Sequence, residues 1–473
     1  MIPLEAARIA EVVDGRLAGA AAGTVVSGVC FDSRAVIPGS LFVAIEGARS
    51  NGHDYVAPAL AAGATLALVS RPLEDASGAP LPCLVVADPV VALGTLAGWV
   101  RRELLSCTVV AITGSSGKTS TKDLLGTVLD QSGPTVRAHA SFNTEVGLPV
   151  TILSADETTR YLVLEMGMRG PGHLAYLCGV ARPDAGVVIN VGSAHLGVVG
   201  SREAIARAKA ELVESLPAEG LAVLNADDAT VAAMAARTEA RVVTFGESEH
   251  ADVRAVDVQL DDLARPSFTL LHHSDGLSGP VVSAPVSLRL SGEHFVSNAL
   301  AAAATGLALG MPIELVAKGL EQAAPASKWR MEVSHAPGGF TVVNDAFNAN
   351  PESMRAALKT LAAMGRGRRT WAVLGEMREL GDDAVSEHDA IGRLAVRLDI
   401  SRLVCVGEGT RVMHLGASNE GSWGDESVHV ANADAAVALL RAEVAPGDVV
   451  LVKASRSIGL ERVAEALLAD SAP

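Results

Sequence analysis

The stretch CTVVAITGSSGKTSTKDLLGTVLDQ, residues 107–131, sets an apolar run, a glycine-rich turn and an amphipathic segment in immediate succession. The run 107–113 reads as a strand, and 119–131 reads as a helix with Leu124, Leu125, Val128 and Leu129 on one face. Between them lie Gly114, Ser115, Ser116, Gly117, Lys118 and Thr119, with Ser120 opening the helix. Glycines let backbone amides converge on phosphate oxygens, and a helix N-terminus adds partial positive charge there. Lys118 then reaches the outer phosphates and Thr119 offers a hydroxyl to magnesium. The spacing is the short form GxxGKT, because Ile112 stands where GxxxxGK[ST] has its first glycine. A bound nucleoside triphosphate, ATP, is the expectation.

The same alternation continues downstream of this loop. Strands are expected at 160–166, 185–191, 221–225 and 241–245, with a helix at 202–216, which implies a mainly parallel sheet covered on both faces. A polar stretch rich in Asp and Ser at 247–293 reads as a less regular excursion, followed by helices at 295–309 and 312–323. A second alternating series then begins: strand 340–346, helix 351–364, strand 371–376, helix 386–398, strand 402–406, helix 433–444, strand 448–453 and helix 458–468. Upstream, short strand-like runs such as 25–31 and 40–45 mix with Ala-rich helical runs. The expected architecture is α/β in three domains: a small one at 1–105, a central P-loop domain with a mainly parallel sheet at 106–334, and a Rossmann-like doubly wound one at 335–473.

Composition narrows the function classes. A formal charge of −16 opposes sequence-independent binding of nucleic acid, and an aromatic content of 3% leaves few stacking platforms. No apolar stretch is long enough to span a membrane, and Glu5, Arg8, Glu11 and Asp14 interrupt any leader-like run. Five scattered cysteines form no CxxC pair. A soluble, cytoplasmic monomer is expected.

Three further residues stand out. Glu165 ends the strand-like YLVLE, and His195 follows the strand end at 191, both at the edge where ligands of open α/β sheets gather. Lys209 falls on the apolar stripe of Ile205, Leu212, Val213 and Leu216. Either its stem snorkels over the core edge, or it is a buried, partly deprotonated amine open to modification.

The blocks ITGSSGKTSTKD, SFNTEVGLP, LEMGM, RPDAGVVINVGSAHLG, RAKAELVESL and LNADD occur in the order found in the Mur ligase family, which the chain resembles. Within it the resemblance is to the type that joins D-alanyl-D-alanine to a UDP-N-acetylmuramoyl-tripeptide through an acyl phosphate. By that resemblance the loop binds ATP, Thr119, Glu165 and His195 hold Mg²⁺, and Lys209 matches a lysine that several such ligases carbamylate. FDSRAVIPGSLFVAIEGARSNGHDYVAPALAAGA resembles the family's uridine-nucleotide segment, with Ser33, Arg34, Asn51, Gly52 and His53 as candidate contacts.

WRME, NDAFNANPESM, LGEMRELG, SEHDAIG and VKASRS resemble later blocks, so Arg330 and Asp345 are expected to close over ATP. Lys118, Lys209, His195 and Arg330 are the implied catalytic set. The chain departs from the family at three places. Phe295 replaces an Asn in GEHFVSNA, leaving His294 and Asn298 as adenine-side candidates. Phe347 replaces a Tyr, and Thr144 replaces the second Asn beside Asn143 as a substrate contact. The nearest alternatives are a sibling ligase adding a diamino acid to the UDP-muramoyl-dipeptide, whose DNPR block is missing after Val404, and an ATP-gated binding protein without ligase activity.

Overall fold

The computed structural model describes residues 1–47, 50–193, 196–273, 279–422 and 424–469. Its centre is a nine-stranded sheet in the order Val281–Ser287, Pro266–His273, Val253–Leu260, Arg241–Gly246, Leu221–Asn225, Ala185–Val188, Thr108–Thr113, Tyr161–Glu165 and Thr135–Arg137. All neighbours pair in parallel except those joining the first three. Thr108–Thr113 therefore lies between Ala185–Val188 and Tyr161–Glu165, and the ends of all three strands open on one edge.

The sheet is buried on both sides because successive residues face opposite layers. Val110 and Ile112 join Leu124, Val128 and helix Phe295–Ala308 in one core, while Val109 and Ala111 join Leu93, Leu148 and Leu212 in the other. This second core is continuous with the N-terminal unit through helix Pro89–Glu103, whose first turn is capped by the Asp88 carboxylate. The N-terminal unit is a five-stranded sheet ordered Arg16–Ala18, Cys83–Val85, Leu66–Val69, Ser40–Val43 and Gly28–Cys30.

The excursion expected at 247–293 is regular. It forms the three strands at the end of the central sheet, joined by antiparallel pairing. Their polar look comes from alternation: Val253 and Ala255, Phe268 and Leu270, Ala284 and Val286 enter the core, while the residues between them face outward.

The C-terminal sheet is ordered Glu332–His335, Thr341–Asn344, Val449–Lys453, Thr370–Leu374, Arg402–Val406 and Ser427–Val430, parallel beyond its first pair. Strand Glu332–His335 thus hydrogen-bonds into this sheet upstream of residue 335. Helix Arg411–Glu420 and strand Ser427–Val430 complete the alternation where the sequence reading had no element. All five cysteines are buried and unpaired. Among the described residues no helix is long and apolar enough to cross a membrane.

Candidate active site

The glycine-rich turn leaves strand Thr108–Thr113 and enters helix Lys118–Leu129 through Gly117, whose φ of 81° is left-handed. A β-carbon there would also lie 2.4 Å from Asn298 Oδ1. Glycine is required twice over, by backbone conformation and by close approach. The helix has no side-chain N-cap, so its first-turn amides are directed at the space before it. Gly117→Ala is expected to weaken ATP binding about tenfold or more, from a strain of roughly 1–3 kcal/mol plus displacement of Asn298. Titration calorimetry checks this, and affinity within about threefold of the parent contradicts it.

Asn190, just beyond strand Ala185–Val188, fixes the turn. Its Oδ1 accepts the N–H groups of Ser115 at 2.9 Å and Ser116 at 3.0 Å, and its amide nitrogen donates to Ser116 Oγ at 3.2 Å. Lys118 Nζ curls back to donate to the Gly114 carbonyl at 2.8 Å. Burial pushes the Lys118 ammonium down from its ordinary range, Glu165 pulls it up, and Arg330 pushes it down again.

Glu165 is 1% exposed at the end of its strand. It accepts from Thr119 Oγ1 at 2.8 Å and from Asn143 Nδ2 at 2.7 Å. Thr119 Oγ1 also lies 3.1 Å from Ser141 Oγ. Hydroxyl and carboxylate are hard oxygen donors beside a phosphate loop, a set that suits Mg²⁺ held by one carboxylate together with nucleotide phosphates. His195 lies outside the described residues, among which no cluster of three His, Cys, Asp or Glu side chains forms. Lys209 is 1% exposed on helix Arg202–Glu214, so its amine is buried rather than snorkelling. Burial, and then the nearby Lys118 ammonium, hold it well below the usual lysine range.

The third unit completes the cavity. A space of about 360 Å³ is lined by Ser115 to Ser120, Asn143, Thr144, Glu165, Asn190, His294 and Asn298 from the centre, and by Arg330, Asp345, Phe347, Asn350 and Lys453 from the linker and C-terminal unit. Arg330 Nη2 donates to Thr119 Oγ1 at 3.3 Å, with its guanidinium 4.1 Å from the centre of the Phe347 ring. The phenylalanine found in place of tyrosine thus supplies an apolar face for a cation. Phe295 packs on His294 with ring centres 4.6 Å apart, and burial pushes His294 down to about 4, leaving a neutral ring near neutral pH.

The connection 345–350 and the first turn of helix Pro351–Met364 tie the units together. Asn350 Nδ2 donates to the Ser115 carbonyl at 3.3 Å, and Glu352 Oε1 accepts from the Ser193 N–H at 2.8 Å. Asn190, Ser141, Lys453, Asn350 and Glu352 lie within the blocks quoted from the sequence, Asn350 and Glu352 in NDAFNANPESM, but the sequence reading singles out none of them as a site residue. Lys453, a lysine closing the apolar strand VVLVK, carried the same signal as Lys209.

The N-terminal candidates line a different place. Arg34 is exposed and paired with Asp32 at 2.7 Å, and Ser33 opens the short turn between them. His53 is buried, its Nδ1 lying 2.8 Å from Asn51 Oδ1 and its Nε2 accepting the Ser70 N–H at 3.1 Å. Both ring nitrogens are thus engaged, and His53 orders the loop at Gly52, where a β-carbon would meet Ile45 N at 2.5 Å. Phe31 packs on Phe142 at 5.4 Å between ring centres, which sets this unit beside the Asn143 and Thr144 loop.

Comparison with known proteins gives three family matches: the Mur ligase family catalytic domain at residues 25–98, the Mur ligase middle domain at 112–306, and the Mur ligase glutamate ligase domain at 329–456. The chain is 48% identical to the UDP-N-acetylmuramoyl-tripeptide--D-alanyl-D-alanine ligase of Mycobacterium leprae, covering 100% of this chain and 99% of that protein. A crystal structure of MurF from Acinetobacter baumannii superposes with a TM-score of 0.85 at 31% identity over 98% of this chain and 99% of that one. MurF ligase from Thermotoga maritima in complex with ADP gives 0.76 at 27% identity, over 93% and 96%.

Proposed function

The chain belongs to the Mur ligase family, and on that premise we propose that it joins D-alanyl-D-alanine to a UDP-N-acetylmuramoyl-tripeptide with ATP, giving the UDP-muramoyl-pentapeptide precursor of peptidoglycan. It is an ATP-dependent ligase forming a C–N bond. The observation that carries the reading is the shared cavity: the phosphate loop comes from the central sheet, while Arg330 comes from the linker and Asp345 from the C-terminal unit.

The terminal carboxylate of the tripeptide attacks the γ-phosphorus of ATP, the bond to the bridging oxygen breaks, and ADP leaves an acyl phosphate. The dipeptide amine then adds to the carbonyl carbon, loses a proton, and inorganic phosphate departs with its oxygen. Two anions meet in the first step. Lys118 and Arg330 face the phosphates and offset that repulsion, and the first-turn amides of helix Lys118–Leu129 hold the β-phosphate. Thr119, Glu165 and His195 would hold Mg²⁺, and Lys209 would join them if it is carbamylated. The metal, when bound, supplies charge neutralisation at the phosphoryl oxygens.

His294, Asn298 and Asp345 hold the nucleoside end of ATP. Asn143 and Thr144 face the acceptor, while Ser33, Arg34 and the Asn51 to His53 loop serve the uridine nucleotide. Closure of the third unit excludes water that would hydrolyse the acyl phosphate. The enzyme works as a cytoplasmic monomer.

ADP release is expected to require both the UDP-tripeptide and D-alanyl-D-alanine. Release indifferent to either sinks the ligase reading, and release supported by a diamino acid with the UDP-dipeptide reassigns the acceptor.

A further inference from the structure

Arg330 is held in an unusual piece of backbone. Its neighbours Trp329 and Met331 both have left-handed φ values, 58° and 49°, although neither is glycine. Such pairs persist only where surrounding contacts over-determine them.

The contacts come from the C-terminal unit. The Met331 N–H donates to Asp345 Oδ1 at 3.1 Å, and the Trp329 carbonyl accepts from the Phe347 N–H at 3.2 Å. Arg456 stacks over the Trp329 ring at 4.3 Å. Asp345 is itself fixed by Lys453, which is 2% exposed and donates to Asp345 Oδ2 at 2.5 Å and to the Asn348 carbonyl at 2.9 Å. Among the described residues Arg330, by contrast, makes one side-chain hydrogen bond, the 3.3 Å bond to Thr119, and stacks on the Phe347 ring, its Nε buried without a hydrogen-bond partner and its charge attracted by Glu165, Asp345 and Asp123. Its aim therefore depends on the backbone that carries it.

We propose that Lys453 is a positioning residue: by pinning the Asp345 carboxylate under the Met331 N–H it keeps the left-handed pair around Arg330, so the guanidinium reaches the Thr119 end of the cavity already oriented. This rests on the reading of Arg330 as the group that meets the transferring phosphate. Lys453 acts through the chain conformation and not by touching the nucleotide.

The test compares two second-site changes in the Lys453→Met enzyme. Lys453→Met lowers turnover about thirtyfold while half-saturation by ATP moves less than about threefold, since misorientation affects the transition state more than binding. In that background Met331→Gly recovers roughly fivefold more turnover than Met331→Ala, because glycine adopts the left-handed conformation without a clamp and alanine does not. Equal turnover in the two double variants overturns the proposal. So does a loss confined to ATP half-saturation, which is the signature of direct nucleotide contact.

Thermal melts confirm that the variants are folded, and Lys453→Arg provides a second background for the same glycine-to-alanine comparison should the methionine variant not fold. Arg330→Ala is measured alongside. If it retains full turnover, the role of Arg330 is wrong. If it is inactive while glycine and alanine behave alike, only the clamp is.

Discussion

Lys118→Ala is expected to lower turnover about 10³-fold or more while leaving the melting temperature within a few degrees of the parent, because the lost interaction exists mainly in the transition state. The amine sits at the start of helix Lys118–Leu129 among Glu165, Arg330 and the loop carbonyls, and burial works against its charge before ATP arrives. A cation held partly desolvated contributes little to the resting fold and much to a phosphate gaining charge. Lys118→Arg is not expected to rescue, since the larger planar guanidinium cannot occupy the turn closed by the Gly114 carbonyl. Steady-state ADP release in the presence of both substrates measures the effect. A variant keeping more than about a tenth of parental turnover contradicts this role.

Elements whose pattern is local were legible before any coordinates. The strand, turn and helix at 107–131 form where expected because the apolar period, the glycines and the phosphate-facing residues all lie within one short stretch. Glu165 was placed at a strand end by the same reasoning, and Lys209 was marked by its conflict with an apolar stripe. What escaped depends on partners distant in sequence. Asn190 looks like an ordinary strand-end amide until the sheet order sets it beside Ser115 and Ser116.

Helix Arg411–Glu420 escaped for another reason. It packs on helix Ala384–Arg397 through small residues, with a β-carbon at Gly392 having no room before the Met413 carbonyl, so no strong apolar stripe is needed. At 247–293 an outward-facing polar half hid the two-residue period. The left-handed backbone around Arg330 has no sequence signal, because neither tryptophan nor methionine favours it.

Lys209→Ala is expected to reduce turnover about 10²-fold or more, and, on the proposal that Lys209 works as a carbamate anion, Lys209→Glu is expected to retain more activity than alanine. A buried ammonium close to Lys118 faces both desolvation and like-charge repulsion, and both push the amine toward its neutral form. A neutral amine is a nucleophile. Under the carbamylation reading its nitrogen would add to the carbon of dissolved carbon dioxide, an N–C bond would form, and the nitrogen proton would pass to water, leaving a carbamate with one negative charge. Such an anion would replace a repulsive pair with Lys118 by an attractive one and would offer oxygen donors to Mg²⁺.

The unmodified lysine cannot do this, since its neutral amine carries no negative charge and its ammonium would repel both the metal and Lys118. Enzyme depleted of carbon dioxide should therefore lose turnover and regain it on adding bicarbonate, while Lys209→Glu should be insensitive to either treatment. Carbon-13 NMR of enzyme equilibrated with labelled bicarbonate should show one carbamate resonance that Lys209→Ala lacks. Full turnover in carbon-dioxide-free buffer with no such resonance would leave Lys209 as an unmodified buried amine.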